Sequence, residues 1–320
     1  MLESLKKTYI FAKEGKGKIP CYEATDTERD ILKLIELDKN QIEKHLLKYG
    51  GILLRGFDIR AVSEFNKLAN MFCTNLFHYV NRSTPRTKLG GKIYTATEYP
   101  ADKSIPFHNE NSYTLEWPNK ILFFSVIAAE TGGETAIADS RCVYNNINPE
   151  IIDKFNELKV LYIRNYNEGI DLSWQEVFQT NEQKEVEKYC SDHSISYEWK
   201  SGDLRLTTMQ VCQATIQHPI SHENIWFNQA HLFHISSLNI QDRKELIGLL
   251  GKDKLPRNSY YGDGSEIEET SLNIIKQAYE KERIEFVWRK GDVMILDNML
   301  MSHSRNPFTG NRKVVVAMGN

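Results

Sequence analysis

Hydrophobic and polar residues follow two rhythms along this chain. Apolar positions spaced three or four apart predict helices. They fall in TERDILKLIEL (27–37), KNQIEKHLL (39–47), VSEFNKLANMF (62–72), EQKEVEKYC (182–190), DRKELIGLL (242–250) and SLNIIKQAYEKE (271–282). Asn148-Pro149-Glu150 adds a start signal, a capping side chain before a first-turn proline, for a helix through IIDKFNEL. Short apolar or alternating runs predict strands. These are GILLRGF (51–57), KIYTAT (92–97), NKILFFSVIA (119–128), TAIADS (135–140), VLYIRNY (160–166), LRLTTMQV (204–211), NIWFNQA (224–230), IEFVWRK (284–290), DVMILDN (292–298) and RKVVVAM (312–318). Strands and helices do not alternate strictly, and the strands crowd together in the second half. The pattern predicts a mainly β fold, a two-sheet jelly roll with helices packed outside, rather than a doubly wound parallel sheet.

Composition narrows the class. Of 320 residues, 41% are hydrophobic and 26% charged, with a net charge of −3. That balance gives no basis for a nucleic-acid or membrane partner. The apolar run ILFFSVIAA (121–129) is too short to span a bilayer, and the N-terminus has no apolar stretch long enough for a signal peptide. Five scattered cysteines, with no CxxC pair, read as reduced thiols of a cytoplasmic protein. Without repeats or Pro/Ser-rich linkers, residues 1–320 read as one domain. It carries an N-terminal helical and strand segment over about 1–50 and a helical insertion over about 141–200.

Candidate chemistry begins in FHNENSY (107–113). Were this segment extended, His108 and Glu110 would share one face of a strand. His303 follows a hydrophobic strand near the C-terminus and is a sensible third ligand. Two histidines and a carboxylate on one side of a metal leave sites open for dioxygen and a chelating 2-oxoacid, the pattern of non-heme Fe(II) oxygenases. Arg312, nine residues beyond His303, offers a planar guanidinium for the oxoacid's far carboxylate; Lys313 competes for that role. Thr135 would add a hydroxyl. Taken singly, each residue also has an ordinary reading as part of a strand or its end. His231 and His234 read as core, His218 and His222 as loop residues, and His78 as either packing or pocket.

Together His108-x-Glu110, GGET with Thr135, His303 and FTGNR with Arg312 resemble the taurine dioxygenase/TfdA-like superfamily of Fe(II)/2-oxoglutarate oxygenases. TEYPADKSIPFHNENSY, GGETAIADSR, RNYNEGIDLSWQEVFQT, WFNQAHLFH, YYGDGSEIEE and LDNMLMSHSRNPFTGNRKVVVAM resemble its SyrP-like branch, over roughly residues 50–320. The resemblance implies a double-stranded β-helix core. It implies iron held by His108, Glu110 and His303, and 2-oxoglutarate held by Arg312 and Thr135. It also implies dioxygen-dependent decarboxylation of 2-oxoglutarate to succinate, coupled to C–H oxidation. Glu110 stands where aspartate is commoner in the wider superfamily. Related halogenases leave that position empty for chloride, so its carboxylate favours hydroxylation or another C–H oxidation. The SyrP-like match implies a small amino-acid-like substrate, free or tethered to a carrier protein. Arg205, Asn111, Arg82 and Arg86 are the candidates for reading it, with Ser112 beside Asn111. Trp226, Phe227 and Phe233 belong either to the core or to the cavity wall. Two other classes compete: a non-catalytic jelly roll that binds a metal or small ligand, and a zinc hydrolase. The hydrolase would lack the HExxH helix of metalloproteases.

Overall fold

The computed structural model describes residues 2–77, 87–90, 92–96, 99–166, 171–200 and 205–320. Its largest sheet runs, in spatial order, Lys6–Phe11, Lys18–Glu23, Gly51–Arg55, Val293–Asp297, Lys120–Ile127, Lys313–Gly319, Ile93–Thr95 and Lys88–Gly90. Every pairing is antiparallel except Lys18–Glu23 on Gly51–Arg55. The three central strands look uniformly apolar in sequence because both faces are covered. Leu122, Phe124, Val293, Ile295, Val315 and Ala317 point to one core, which takes in Leu34, Ile35, Phe65 and Leu68 from two outer helices. The residues between them, Ile121, Phe123, Met294, Leu296, Val314 and Val316, point to a second core with Ile137 and Met301. The period-two side-chain alternation thus divides each strand between a helix-covered face and an inner face.

Opposite that inner face lies a three-stranded sheet, Ile105–His108, Met301–Arg305 and Ile137–Asp139. The two sheets form the expected jelly roll, without a closed barrel. A further sheet runs, in spatial order, Ser196–Lys200, Arg205–Cys212, Val160–Tyr166 and Arg257–Tyr261. Two of its strands fall in the segment 141–200 and two beyond it, with Val160–Tyr166 paired to Arg257–Tyr261.

Helices follow the sequence pattern closely. Val62–Phe72 matches its expected span, and Pro149–Leu158 starts behind Asn148, whose side chain accepts from Glu150 N. The helices expected over 27–37 and 39–47 are one, Ile31–Tyr49, bent where Asp38 leaves helical geometry (φ −121°, ψ 18°). Asp30 caps it by accepting from Leu32 N and Lys33 N, so the chain before residue 31 stays non-helical. The other three predicted helices appear as Gln183–Asp192, Ile240–Leu250 and Glu269–Lys281.

Two strand expectations need correction. IEFVWRK forms no strand; Ile284 alone makes isolated bridges, to Ala12 and Ile137. Phe286 and Trp288 bury their rings, so that segment is apolar because it packs, not because it pairs. NIWFNQA is a strand only over Asn224–Trp226. Asn228 then accepts from Ala230 N and turns the chain into the short helix Ala230–Phe233. No helix among the described residues is long and apolar enough to cross a membrane.

Candidate metal centre and oxoacid cleft

His303 sits mid-strand in Met301–Arg305, paired with His108 on one side and Ile137 on the other. Cross-strand neighbours project side by side, and the two imidazole centroids lie 4.3 Å apart. Glu110 completes the group: its Oε2 is 3.9 Å from His303 Nε2. Ligand atoms of His108, Glu110 and His303 all fall within 4.8 Å of one another, a span a single ion bridges. Glu110 and His303 are buried and His108 is half-buried. His108 Nδ1 donates to Pro106 O at 2.9 Å, which leaves Nε2 as the lone-pair nitrogen a metal needs.

The segment carrying these ligands is not the extended strand that the sequence pattern implies. The strand stops at His108, and residues 110–113 form a turn in which Asn111 adopts φ 58°. Glu110 reaches the centre from that turn, held by amide clamps. Asn298 Oδ1 accepts from Glu110 N, and Asn298 Nδ2 donates to Glu110 O and Pro118 O. Gln229 Nε2 donates to Asn109 O, and His231 Nε2 donates to Phe107 O. Asn109 Nδ2 returns a bond to Asn298 O at 2.7 Å. All four side chains are at most 2% exposed, so each bond persists without competing water. Burial pulls the His231 pKa down to about 4, and the ring stays neutral. The sequence offered His231 only as a core residue and gave no role to Asn109, Gln229 or Asn298; their task of fixing the ligand turn needed the fold to be seen.

One cleft joins this centre to the predicted anion site. His108, His303, Phe123, Thr135, Arg305 and Arg312 all line it. Arg312 Nε donates to Gly133 O at 2.8 Å, and its Nη2 to Thr135 Oγ1 at 3.3 Å. Trp288 Nε1 also donates to Thr135 Oγ1, at 3.0 Å. With two bonds accepted, the hydroxyl's own hydrogen is left to donate. Burial, then the neighbouring Arg305, pull the Arg312 pKa down to about 10; Glu134 offsets part of this. Neither guanidinium has a carboxylate at ion-pair distance among the described residues. Arg305 instead donates to the carbonyls of Tyr99, Pro100 and Lys103. The two glycines of GGET make the approach possible. Both have positive φ, and a Cβ on Gly133 would stand 2.9 Å from Arg312 Cδ, while one on Gly132 would stand 2.2 Å from Pro307 O.

Of the substrate candidates, Asn111 follows the metal turn directly and is buried, as is Ser112, which donates to Asn109 O. Arg205 is exposed at the start of its strand. The strand's other end, Cys212, touches Tyr113 O, so Arg205 lies a strand length away from the ligand turn. Arg82, Arg86 and His78 lie outside the described residues. Trp226, Phe227 and Phe233 are fully buried core residues. His234 is buried, and His218 is buried too, accepting from Ile220 N and Ser221 N and meeting Asp297. Lys313 begins the strand that Arg312 immediately precedes and does not line the cleft.

Comparison with known proteins identifies the family. Residues 19–318 match the model of the family described as taurine catabolism dioxygenase TauD, TfdA family. The chain is 44% identical over 277 residues to dapdiamide synthesis protein DdaC of Enterobacter agglomerans, covering 87% of this chain and 84% of that one. It is 29% identical over 294 residues to the clavaminate synthase-like protein At3g21360 of Arabidopsis thaliana, covering 89% and 86%. Among solved structures, PvcB of Pseudomonas aeruginosa superposes with a TM-score of 0.57 at 12% identity, over 98% of this chain and 90% of that one. The chain therefore belongs to the TauD/TfdA family of dioxygenases, enzymes that use ferrous iron and 2-oxoglutarate.

Proposed function

We propose that His108, Glu110 and His303 hold ferrous iron, that Arg312 and Thr135 hold the distal carboxylate of 2-oxoglutarate, and that the enzyme hydroxylates an unactivated C–H of an amino acid or a carrier-tethered aminoacyl group. The observation that carries this is the shared cleft: the two histidines and the Arg312–Thr135 pair line one space. A purely structural metal site has no use for a half-buried guanidinium beside it. Iron bound here would supply dioxygen activation, and overall R–H, O2 and 2-oxoglutarate become R–OH, succinate and CO2.

This chain's residues do the rest. Arg312 brings a fixed cation, already desolvated, and Thr135 brings a hydrogen-bond donor. Glu110 occupies the position that chloride takes in halogenating relatives, which favours hydroxylation. The cleft that would take the oxoacid is narrow and lined by both histidines and by Arg312. The SyrP-like motifs motivate the amino-acid assignment. Relatives named for dapdiamide synthesis and as clavaminate synthase-like also favour a role in small-molecule synthesis. Five unpaired thiols fit a reducing, cytoplasmic setting.

The test has two stages. Anaerobic Fe(II) with 2-oxoglutarate should give a weak visible charge-transfer band, lost in His303→Ala. Succinate release is then followed against free and carrier-loaded amino acids. A band without stimulated turnover across a broad panel defeats the substrate assignment; no band defeats the oxygenase site.

A further inference from the structure

A second cavity, of about 350 Å³, begins one residue from the metal's carboxylate ligand. Asn111 forms part of its wall, with Glu116 from the same turn region. Tyr189, Asp192 and His193 at the end of the helix Gln183–Asp192, and Gln210 from the strand Arg205–Cys212, form the opposite wall. The insertion therefore builds half of a space whose other half is the segment holding Glu110.

The polar atoms here are chiefly acceptors. Asn111 is 8% exposed, and its Oδ1 is buried with no hydrogen-bond partner among the described residues. A buried orphan acceptor costs about 1–3 kcal/mol, so its position demands a donor. Gln210 spends its amide nitrogen on His193 O, leaving its carbonyl oxygen. His193 donates from Nδ1 to Tyr189 O and stacks on the Tyr189 ring at 4.0 Å; its Nε2 is 3.5 Å from Glu116. Asp192 is answered by Lys188 on the surface, and among the described residues no lysine or arginine lines the cavity. Rotating a carboxamide exchanges donor and acceptor, so Asn111 alone does not set the ligand's sign. The Glu116 carboxylate does, and the Tyr189 and Phe77 rings suit a cation or its alkyl stem.

We propose that this cavity takes an ammonium-bearing end of the substrate, with Asn111 Oδ1 and Glu116 accepting its hydrogens. The substrate is thereby an amine whose nitrogen is free rather than acylated. This rests on the oxygenase assignment only in naming the ligand as substrate.

The experiment compares n-pentylamine with 1-pentanol and pentanoate, probes of one shape and three charges. Binding is followed by ligand-observed NMR on the metal-free full chain. It is followed in parallel as perturbation of the anaerobic Fe(II)/2-oxoglutarate band. The amine should bind about 10- to 100-fold tighter than the alcohol, the worth of one charged hydrogen bond, and pentanoate should not bind. Glu116→Gln and Asn111→Leu should each erase most of that preference, and Asn111→Asp should keep or strengthen it. Because Glu116 is largely exposed, Glu116→Gln keeps the fold intact if Asn111→Leu does not. Equal binding of amine and alcohol, or a preference unmoved by Glu116→Gln, overturns the proposal. Amine binding by NMR without any band supports it while the oxygenase assignment falls; a band without amine preference does the reverse.

Discussion

Replacing Arg312 by methionine should move two quantities in opposite directions. In the ligand-free protein the guanidinium is a liability. Burial and Arg305 draw its pKa from 12.5 to about 10. At about 1.4 kcal/mol per unit, its charge carries on the order of 3 kcal/mol of unfavourable burial at neutral pH. The sign follows from linkage: the folded state holds this proton less tightly than the unfolded chain, so the penalty is full below pH 10 and fades only above it. Against this stand the bonds to Gly133 O and Thr135 Oγ1, worth about 1 kcal/mol each. The estimate for Arg312→Met is therefore a fold unchanged or stabilised by about 1 kcal/mol, a melting shift of roughly 2 °C or less. Oxoacid binding should respond the other way. Removing one member of a desolvated ion pair costs about 2–5 kcal/mol, roughly 30-fold to a few thousandfold in affinity. Calorimetric melting of the metal-free protein gives the first quantity, and titration of the anaerobic Fe(II) complex with 2-oxoglutarate gives the second. A large fall in melting temperature with unchanged oxoacid affinity would refute the reasoning. Arg312 would then be a strap on the Gly133 turn and not an anion receptor.

Gly133→Ala should reach the same site indirectly. A methyl at φ 71°, 2.9 Å from Arg312 Cδ, shifts the guanidinium, and 2-oxoglutarate affinity should fall about tenfold for about 1–2 kcal/mol of backbone strain; unaltered affinity with an intact fold counts against it. Glu110→Ala should remove stoichiometric Fe(II) binding, read by equilibrium dialysis under nitrogen, while circular dichroism stays native. Asn298→Asp keeps the acceptor for Glu110 N but loses both donors, and Fe(II) affinity should fall about 10- to 100-fold; equal affinity would mean that the ligand turn holds itself. Burial lowers His234 to a pKa of about 4, below its ordinary 6.5. Stability on the order of 3 kcal/mol is thus present above pH 6.5 and lost as pH falls towards 4. Urea midpoints for wild type and His234→Gln across that window should converge at the acid end.

The helices and central strands were legible because burial there is local and periodic. Val62–Phe72 offers one apolar stripe to one sheet face, and its sequence states it. The chain 284–290 misled for a physical reason. Phe286 and Trp288 sit in the inner core as strand residues do, yet their backbone runs unpaired past the sheet. Burial leaves a mark on composition, whereas backbone pairing does not. The same limit applies to the sheet that joins Val160–Tyr166 to Arg257–Tyr261, strands far apart in the chain.

The candidate centre was legible for a reason partly different from the one its spacing gave. His-x-Glu looked like two ligands on one strand face. In the fold, His108 ends a strand and Glu110 stands on the turn after it, so period two is not what brings them together. What does is a set of two amides and an imidazole with no periodic signature: Asn298 grips the backbone of Glu110 on both sides, while Gln229 and His231 grip the carbonyls of Asn109 and Phe107. A strand would have fixed the two side chains through its ladder. A turn has no ladder, and its carbonyls and N–H groups must find other partners or remain buried and unpaired. The polar residues within the apolar motifs WFNQAHLFH and ILDNML answer that need. An isolated asparagine or glutamine in a hydrophobic run is thus a signal the sequence did contain: it marks where irregular backbone is buried, and here that backbone carries the candidate centre's only carboxylate among the described residues.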